Sequence, residues 1–358
     1  MADNSSDNER IDFVIPWVDG SDPEWLKERN AVSSDIGKSV SSEVGCGSDS
    51  LKNGDSIEDN SGARYYSWDN LQYWFRGVEK FAPWVNKIHF VTWGHIPPWM
   101  NTDAPKLHIV NHKDYIPEQF LPTFNSNTIE LNFHRIEGLS EKFVYFNDDV
   151  FLLKPAAKED FFRNGRPRDM LAFQPVVANP ANPVMSHILL NNALVLSKYF
   201  DKRENVKKQP GSYFKPGYPL LYFGYNLLEL AFPLFTGFYD THGPAAFCKS
   251  TFGKVWELEN DILTQTCSHR FRGDDVNQYL IRDWQKLSGN FTPANIAEGL
   301  SYCELPGGAD RAADIIRKQK ARVICINDSD RVTDFEGIKN KINSAFESIL
   351  PDKSSFER

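Results

Sequence analysis

Adjacent carboxylates interrupt an otherwise apolar run at residues 143–153, FVYFNDDVFLL, and these are the residues best equipped for chemistry. Side by side, Asp148 and Asp149 repel unless a cation or a proton neutralises one of them. Phe143 to Phe146 reads as a buried strand, because four β-favouring residues in a row would expose apolar area on a half-wetted surface. Asn147, Asp148 and Asp149 then fall at its carboxyl end, the edge at which open parallel sheets bind ligands. Two readings are open for this segment alone: a divalent metal holding a phosphorylated substrate, or a turn capped by Asn and Asp side chains.

Two further strands end in the same way. Ile11 to Val18 (IDFVIPWV) runs into DGSDP, with Asp19 and Asp22, and Arg322 to Ile326 (RVICI) runs into Asn327-Asp328-Ser329. Convergence of the three ends would make an oxygen-lined site suited to Mg²⁺ or Mn²⁺ and a phosphate, with Asp148, Asp149 and Asp328 as ligands. His242 is the candidate general base, since a neutral imidazole accepts a proton near physiological pH. It precedes Gly243-Pro244, and proline suits a first helical position, so a helix is expected there with His242 at its positive end; a capping role competes. Arg270 and Arg272 alternate on an extended segment and would share a face, as for clamping phosphates or for surface ion pairs. Trp17, Trp84, Trp93 and Trp99 lie in or beside loops at strand ends, where their faces suit sugar stacking or ordinary packing.

The elements that must position these groups alternate. A helical spacing joins Tyr65, Trp68, Leu71, Phe75 and Val78; Ile88–Thr92 and Leu107–Val110 read as strands. Asn127 with Glu130 resembles a capping box opening a helix that carries Ile129, Phe133 and Ile136, with His134 and Arg135 either functional or solvated. Asp274 or Asp275 is the expected cap of a helix through Leu280 and Trp284. Strands alternating with helices predict an α/β fold with a mostly parallel, Rossmann-like sheet and helical or loop insertions. One catalytic domain over 1–358 is expected. Residues 31–62, rich in Ser, Gly and Asp, read as a flexible insertion, 198–222 as an excursion or lid, and 340–358 as a terminal helix with solvated charges. Gly37-Lys38-Ser39 is no phosphate loop, because no glycine stands five residues before Gly37.

Composition narrows the class. With 358 residues, 41% hydrophobic, 25% charged and a net charge of −8, the chain is of the globular type. It has no long basic block, so nucleic acid is not expected as a partner. Five cysteines without CxxC spacing, an N-terminus unlike a secretory signal and the lack of a long apolar run predict reduced thiols and a cytoplasmic location.

The segments IDFVIPWVDGSDPEW, RYYSWDNLQYWFRGVEKFAPWVNKIHFVTWGHIPPWM and LPTFNSNTIELNFHRIEGLSEKFVYFNDDVFL resemble the first two signature regions of the Stealth family of sugar-1-phosphate transferases. THGPAAFCKSTFGKVWE through HRFRGDDVNQYLIRDW is similar to the third region and VICINDSD to the fourth. The resemblance implies transfer of a hexose 1-phosphate from a nucleotide sugar, typically a UDP-sugar, to a glycan or glycolipid hydroxyl, with a divalent metal and release of the nucleoside monophosphate. It implies roles for Asp22, Asp148, Asp149, His242, Arg272 (or Arg270), Asn327 and Asp328. Trp17, Asp19, Gly20, Asn125, Ser126, His134, Arg135 and Asn327 are the expected substrate-binding positions. Capsule synthesis would bring the protein to the cytoplasmic face of the inner membrane as a peripheral partner.

Overall fold

The computed structural model describes residues 10–43, 67–180, 182–329 and 331–358. In chain order the strands are β1 (Ile11–Pro16), β2 (Ile88–Thr92), β3 (Leu107–Asn111), β4 (Lys142–Tyr145), β5 (Val150–Leu152), β6 (Phe162–Arg163), β7 (Arg166–Asp169), β8 (Ala245–Cys248), β9 (Thr292–Pro293), β10 (Leu300–Glu304) and β11 (Val323–Asn327). The helices that matter below are α1 (Pro23–Glu43), α2 (Leu71–Phe81), α3 (Ser126–Leu131), α4 (Pro183–Ser197), α5 (Lys202–Lys208), α6 (Leu220–Glu229), α7 (Gln278–Leu287) and α8 (Phe335–Ile349).

The main sheet has the order β3-β2-β1-β4-β8. Its β1–β2, β2–β3 and β1–β4 pairs are parallel, and β8 closes one edge antiparallel to β4. The expected α/β class with a mostly parallel sheet is therefore what forms. Its central strands are apolar at successive positions because both faces are covered: Phe13 and Ile15 enter one core, Val14 the other, while Val144 and Phe143 divide in the same way. A second sheet, β10-β11-β5, pairs β10 parallel and β5 antiparallel to β11. The chain passes from the first sheet to the second through Asn147–Asp149.

Several expectations change. Residues 31–43 belong to α1 rather than to a loop, while 44–62 lie outside the described residues. Of the helical spacing expected from Tyr65, which lies outside the described residues, Leu71, Phe75 and Val78 fall in α2 and Trp68 precedes it. No helix starts at Pro244: the residues after it pair with β4 as β8, so His242 sits before a strand, not at a positive helix end. Asn125, not Asn127, caps α3, its side chain accepting from Asn127 N; Asn277, not Asp274 or Asp275, caps α7. The segment 198–222 is anchored by Lys202, Tyr213 and Tyr218, all buried. The tail is packed: Phe356 is buried, and Glu357 pairs with Arg76 at 2.8 Å.

Candidate active site

The Asn147–Asp149 turn opens on a cleft of about 1480 Å³. Trp17 and Asp19 follow β1 into it, Asn327 and Asp328 follow β11, and Ser126, His242, Arg272 and Tyr279 complete the walls around the turn. So the carboxyl ends of β1, β4 and β11 face one cavity. The turn is fixed by its own backbone, with Val150 N donating to Asn147 O at 3.2 Å and Ile326 N to Asp149 O at 2.9 Å.

Asp149 Oδ2 lies 3.2 Å from His242 Nε2 and accepts from Cys325 Sγ at 3.3 Å. Its Oδ1 is buried and has no hydrogen-bond partner. Asp148 is exposed to the cleft, yet the surrounding walls desolvate it and Asp149 repels its charge, so its pKa is pushed up to about 7. Burial lowers the pKa of His242, but the charge and hydrogen bond of Asp149 outweigh burial and leave it above the ordinary value. Asn147 Nδ2 lies 3.0 Å from His242 Nε2, while Asn147 Oδ1 accepts from the Tyr145 hydroxyl. That hydroxyl also lies 3.0 Å from Glu130 Oε1.

A carboxylate oxygen without a donor, beside a carboxyl that resists ionisation, is a donor set short of positive charge. It fits a divalent cation. Asp328 lines the same cleft with its carboxylate already held, Oδ2 accepting from Trp68 Nε1 at 3.0 Å and Oδ1 from Ser329 N at 2.7 Å. Among the described residues, the group whose ligand atoms lie within 4.8 Å of one another is Asp149, His242 and Cys325; Asp148 and Asp328 line the same cleft outside that group.

The other sequence candidates divide sharply. Trp17, Asp19, Ser126, Arg272, Asn327 and the turn acids line the cleft, whereas Gly20, Asp22, Asn125, His134, Arg135 and Arg270 are not among its walls. Asp22 caps α1, its Oδ1 accepting from Glu24 N at 2.9 Å and Trp25 N at 3.0 Å. Asn125 is buried and donates to Asp275 Oδ2 at 2.9 Å. His134 stacks on Phe252, and its pKa falls to about 3 through burial and the neighbouring Arg135. Arg135 lies over the Trp256 ring. Arg270 and Arg272 do not form a clamp: Arg270 donates to Pro122 O at 3.0 Å, while Arg272 approaches Met185 Sδ at the cleft wall. Trp99 joins Trp17 in the cleft, whereas Trp84 donates to Ala156 O and Trp93 to Glu28.

Sequence reasoning missed Glu130, Tyr145, Tyr279, Tyr302 and Cys325. The signal for Glu130 was present but assigned to a helix cap, and Cys325 was hidden in an apolar strand. The described cysteines, 248, 267, 303 and 325, are all free thiols.

Two family models match the chain: Stealth protein CR1, conserved region 1, over residues 9–37, and Stealth protein CR2, conserved region 2, over residues 64–169. A capsular polysaccharide phosphotransferase, WcwK, of Streptococcus pneumoniae is 41% identical over 356 residues, covering 98% of each chain. The receptor polysaccharide phosphotransferase WefC of Streptococcus oralis is 36% identical over 97% of this chain and 99% of its own. The exopolysaccharide phosphotransferase cps2G of Lactiplantibacillus plantarum is 36% identical over 97% of this chain and 96% of its own. With acids, an imidazole and an arginine around one cleft and relatives matched along nearly their whole length, this chain is an enzyme of the phosphotransferase class and belongs to the Stealth family.

Proposed function

We propose that the enzyme transfers a hexose 1-phosphate from a nucleotide sugar, a UDP-hexose or UDP-N-acetylhexosamine, to a hydroxyl of a glycan or glycolipid, forming a phosphodiester and releasing UMP in capsule or cell-surface polysaccharide synthesis. The observation that carries this reading is the pairing of His242 with Asp149 at 3.2 Å inside the cleft lined by Asp148, Asp328 and Arg272.

His242 Nε2 faces both Asn147 Nδ2, at 3.0 Å, and Asp149 Oδ2, at 3.2 Å, so it accepts from Asn147 when the ring is neutral and donates to Asp149 when the ring is protonated. Nε2 is then the atom that takes the proton of the attacking hydroxyl, and the imidazolium formed is stabilised by Asp149 Oδ2. The hydroxyl oxygen bonds to the phosphorus attached to the sugar, and the bond from that phosphorus to the bridging oxygen breaks, so UMP departs. Arg272 offers a guanidinium to the phosphoryl oxygens as charge builds on them. Asp148, Asp149 and Asp328 would hold Mg²⁺ or Mn²⁺, which when bound supplies charge neutralisation at the phosphate. Trp17, Trp99 and Tyr302 offer aromatic faces to sugar and base.

No helix among the described residues is long and apolar enough to cross a membrane. A peripheral position at the cytoplasmic face of the inner membrane accords with that and with a lipid-borne acceptor.

The test is chromatography of the nucleotide product over a panel of nucleotide sugars, with ³¹P NMR of the glycan. UMP and a phosphodiester resonance are expected. UDP with a phosphorus-free product would instead make the enzyme a metal-dependent glycosyltransferase attacking the anomeric carbon.

A further inference from the structure

Helix α6 is built inside out. The side chains it buries are Asn226 and Glu229, three residues apart and therefore on one face. Asn226 accepts from Phe173 N at 2.7 Å and donates to Tyr213 O at 2.6 Å. Glu229 pairs with buried Lys202 of α5 at 2.8 Å and accepts from Thr236 Oγ1 at 2.7 Å. On the outside stand Leu220, Leu221, Phe223, Leu227 and Leu228, with Leu234 just beyond the helix; Leu220 is 89% exposed and Leu228 68%. A helix of a water-soluble protein buries its apolar stripe and presents its polar face to solvent. The reversal here satisfies every buried polar group and leaves the leucines without protein to cover them.

The surroundings of this face carry charge of one prevailing sign. From Pro216 to Thr236 the only charged residue is Glu229, which is buried. The Lys202–Glu229 pair ties α6 to α5, whose stretch carries Arg203, Lys207 and Lys208 exposed and leads to Lys215, against Asp201 and Glu204. Four cations thus outnumber two acids in the stretch tethered to this helix, Lys207 pairing with Glu204 at 2.8 Å and Arg203 and Lys208 standing exposed.

We infer that α6 and the residues following it are a docking surface for a lipid bilayer, the leucines and Phe223 entering the acyl boundary and the α5 cations meeting anionic headgroups. The face offers no charge for a polar partner to pair with, and the cations of the tethered α5 stretch, in excess over its acids, are complementary to anionic headgroups. The inference rests on the membrane location proposed above and is independent of the bond that the cleft breaks.

The full chain should be sedimented with vesicles of phosphatidylcholine alone and of phosphatidylcholine with phosphatidylglycerol. The comparison uses Leu227→Asp/Leu228→Asp and Lys207→Glu/Lys208→Glu, with circular dichroism and the unfolding midpoint establishing equal folding. Wild type is expected to bind the phosphatidylglycerol vesicles at least about tenfold more tightly than the leucine variant. The lysine variant should lose binding several-fold at low salt and little at high salt. Wild-type binding that is absent, or equal to that of the leucine variant, overturns the inference. So does a wild-type dimer that ignores vesicles and becomes monomeric in the leucine variant, which assigns the face to a second copy. Vesicle binding is read without substrate, so its failure leaves the transfer chemistry standing, and a failure of UMP release leaves the docking surface standing.

Discussion

Two clusters of aspartates lie within this protein, and they have opposite fates. Around α7, three acids, Asp169, Asp240 and Asp283, meet two cations, Arg282 and Lys286, with all five side chains buried: Arg282 grips Asp169 at 2.7 and 3.0 Å, and Lys286 lies 3.1 Å from Asp240 and 2.6 Å from Asp283. Burial alone would raise the pKa of Asp169, but Arg282 and Lys286 outweigh it and hold the group below its usual range. Asp283, desolvated and repelled by Asp240, is instead pushed well above its usual range, so the buried cluster is closed by two resident cations and a retained proton. At the Asn147–Asp149 turn the basic partner of Asp149 is a half-exposed imidazole, and Asp148 is pushed up to about 7. The turn acids differ in facing the cleft, where a ligand can complete them.

Loss of the turn chemistry should be the largest effect that breaks this contrast. Asp149→Ala and His242→Gln are each expected to lower turnover by about 10²–10⁴-fold with an unchanged unfolding midpoint, because neither side chain is core packing. A midpoint falling in step with activity would place the turn among the structural clusters. In the buried cluster the reverse is expected: Arg282→Met leaves acids unpaired and should cost about 3–5 kcal/mol in urea unfolding. Arg282 also donates to Thr241 O at 3.2 Å, beside His242, so residual activity should fall as well.

The arginines sharpen the comparison further. Arg272→Ala should reduce turnover by about 10²–10³-fold with a smaller change in donor binding. Arg270→Ala should change it only a few-fold, since that guanidinium serves the Pro122 carbonyl. Equal effects would restore the two-arginine clamp.

Smallest is the pH response of stability without metal. Asp148 ordinarily titrates near 3.8 and in the fold near 7. The folded protein therefore holds an extra proton between those values, and the associated stability is lost as pH rises through about 7. Asp148→Asn should flatten that slope and be the more stable protein at alkaline pH, as read from unfolding midpoints across the range; an unchanged slope would mean that Asp148 is already compensated.

The main sheet was legible because β1, β2 and β4 are buried on both faces and so read as continuous apolar runs. The acidic turn was legible because two charges cannot be hidden in such a run. What failed was local capping logic. Pro244 fits a helix start, but β4 offers Ala245–Cys248 an unpaired edge, and ladder hydrogen bonds override the propensity. Arg270 and Arg272 were placed on one face by alternation, yet the chain turns around buried Phe271 and sends them to different partners. Glu130 carried a capping signal that concealed its bond to Tyr145, and Cys325 announces nothing in sequence, because its contact with Asp149 joins residues 176 apart.

The passage of the chain from one sheet to the other at Asn147–Asp149 has a mechanical meaning. Asp149 is latched by its carbonyl to Ile326, one strand residue from Asn327 and two from Asp328, so the carboxylates of the turn and of β11 are carried by a single rigid piece. Trp17 and Asp19 ride on the other sheet. His242, ahead of β8, rides on that sheet as well, so the imidazole and the acid it pairs with are borne by separate frames, and the 3.2 Å between them depends on how the two sheets meet at the turn.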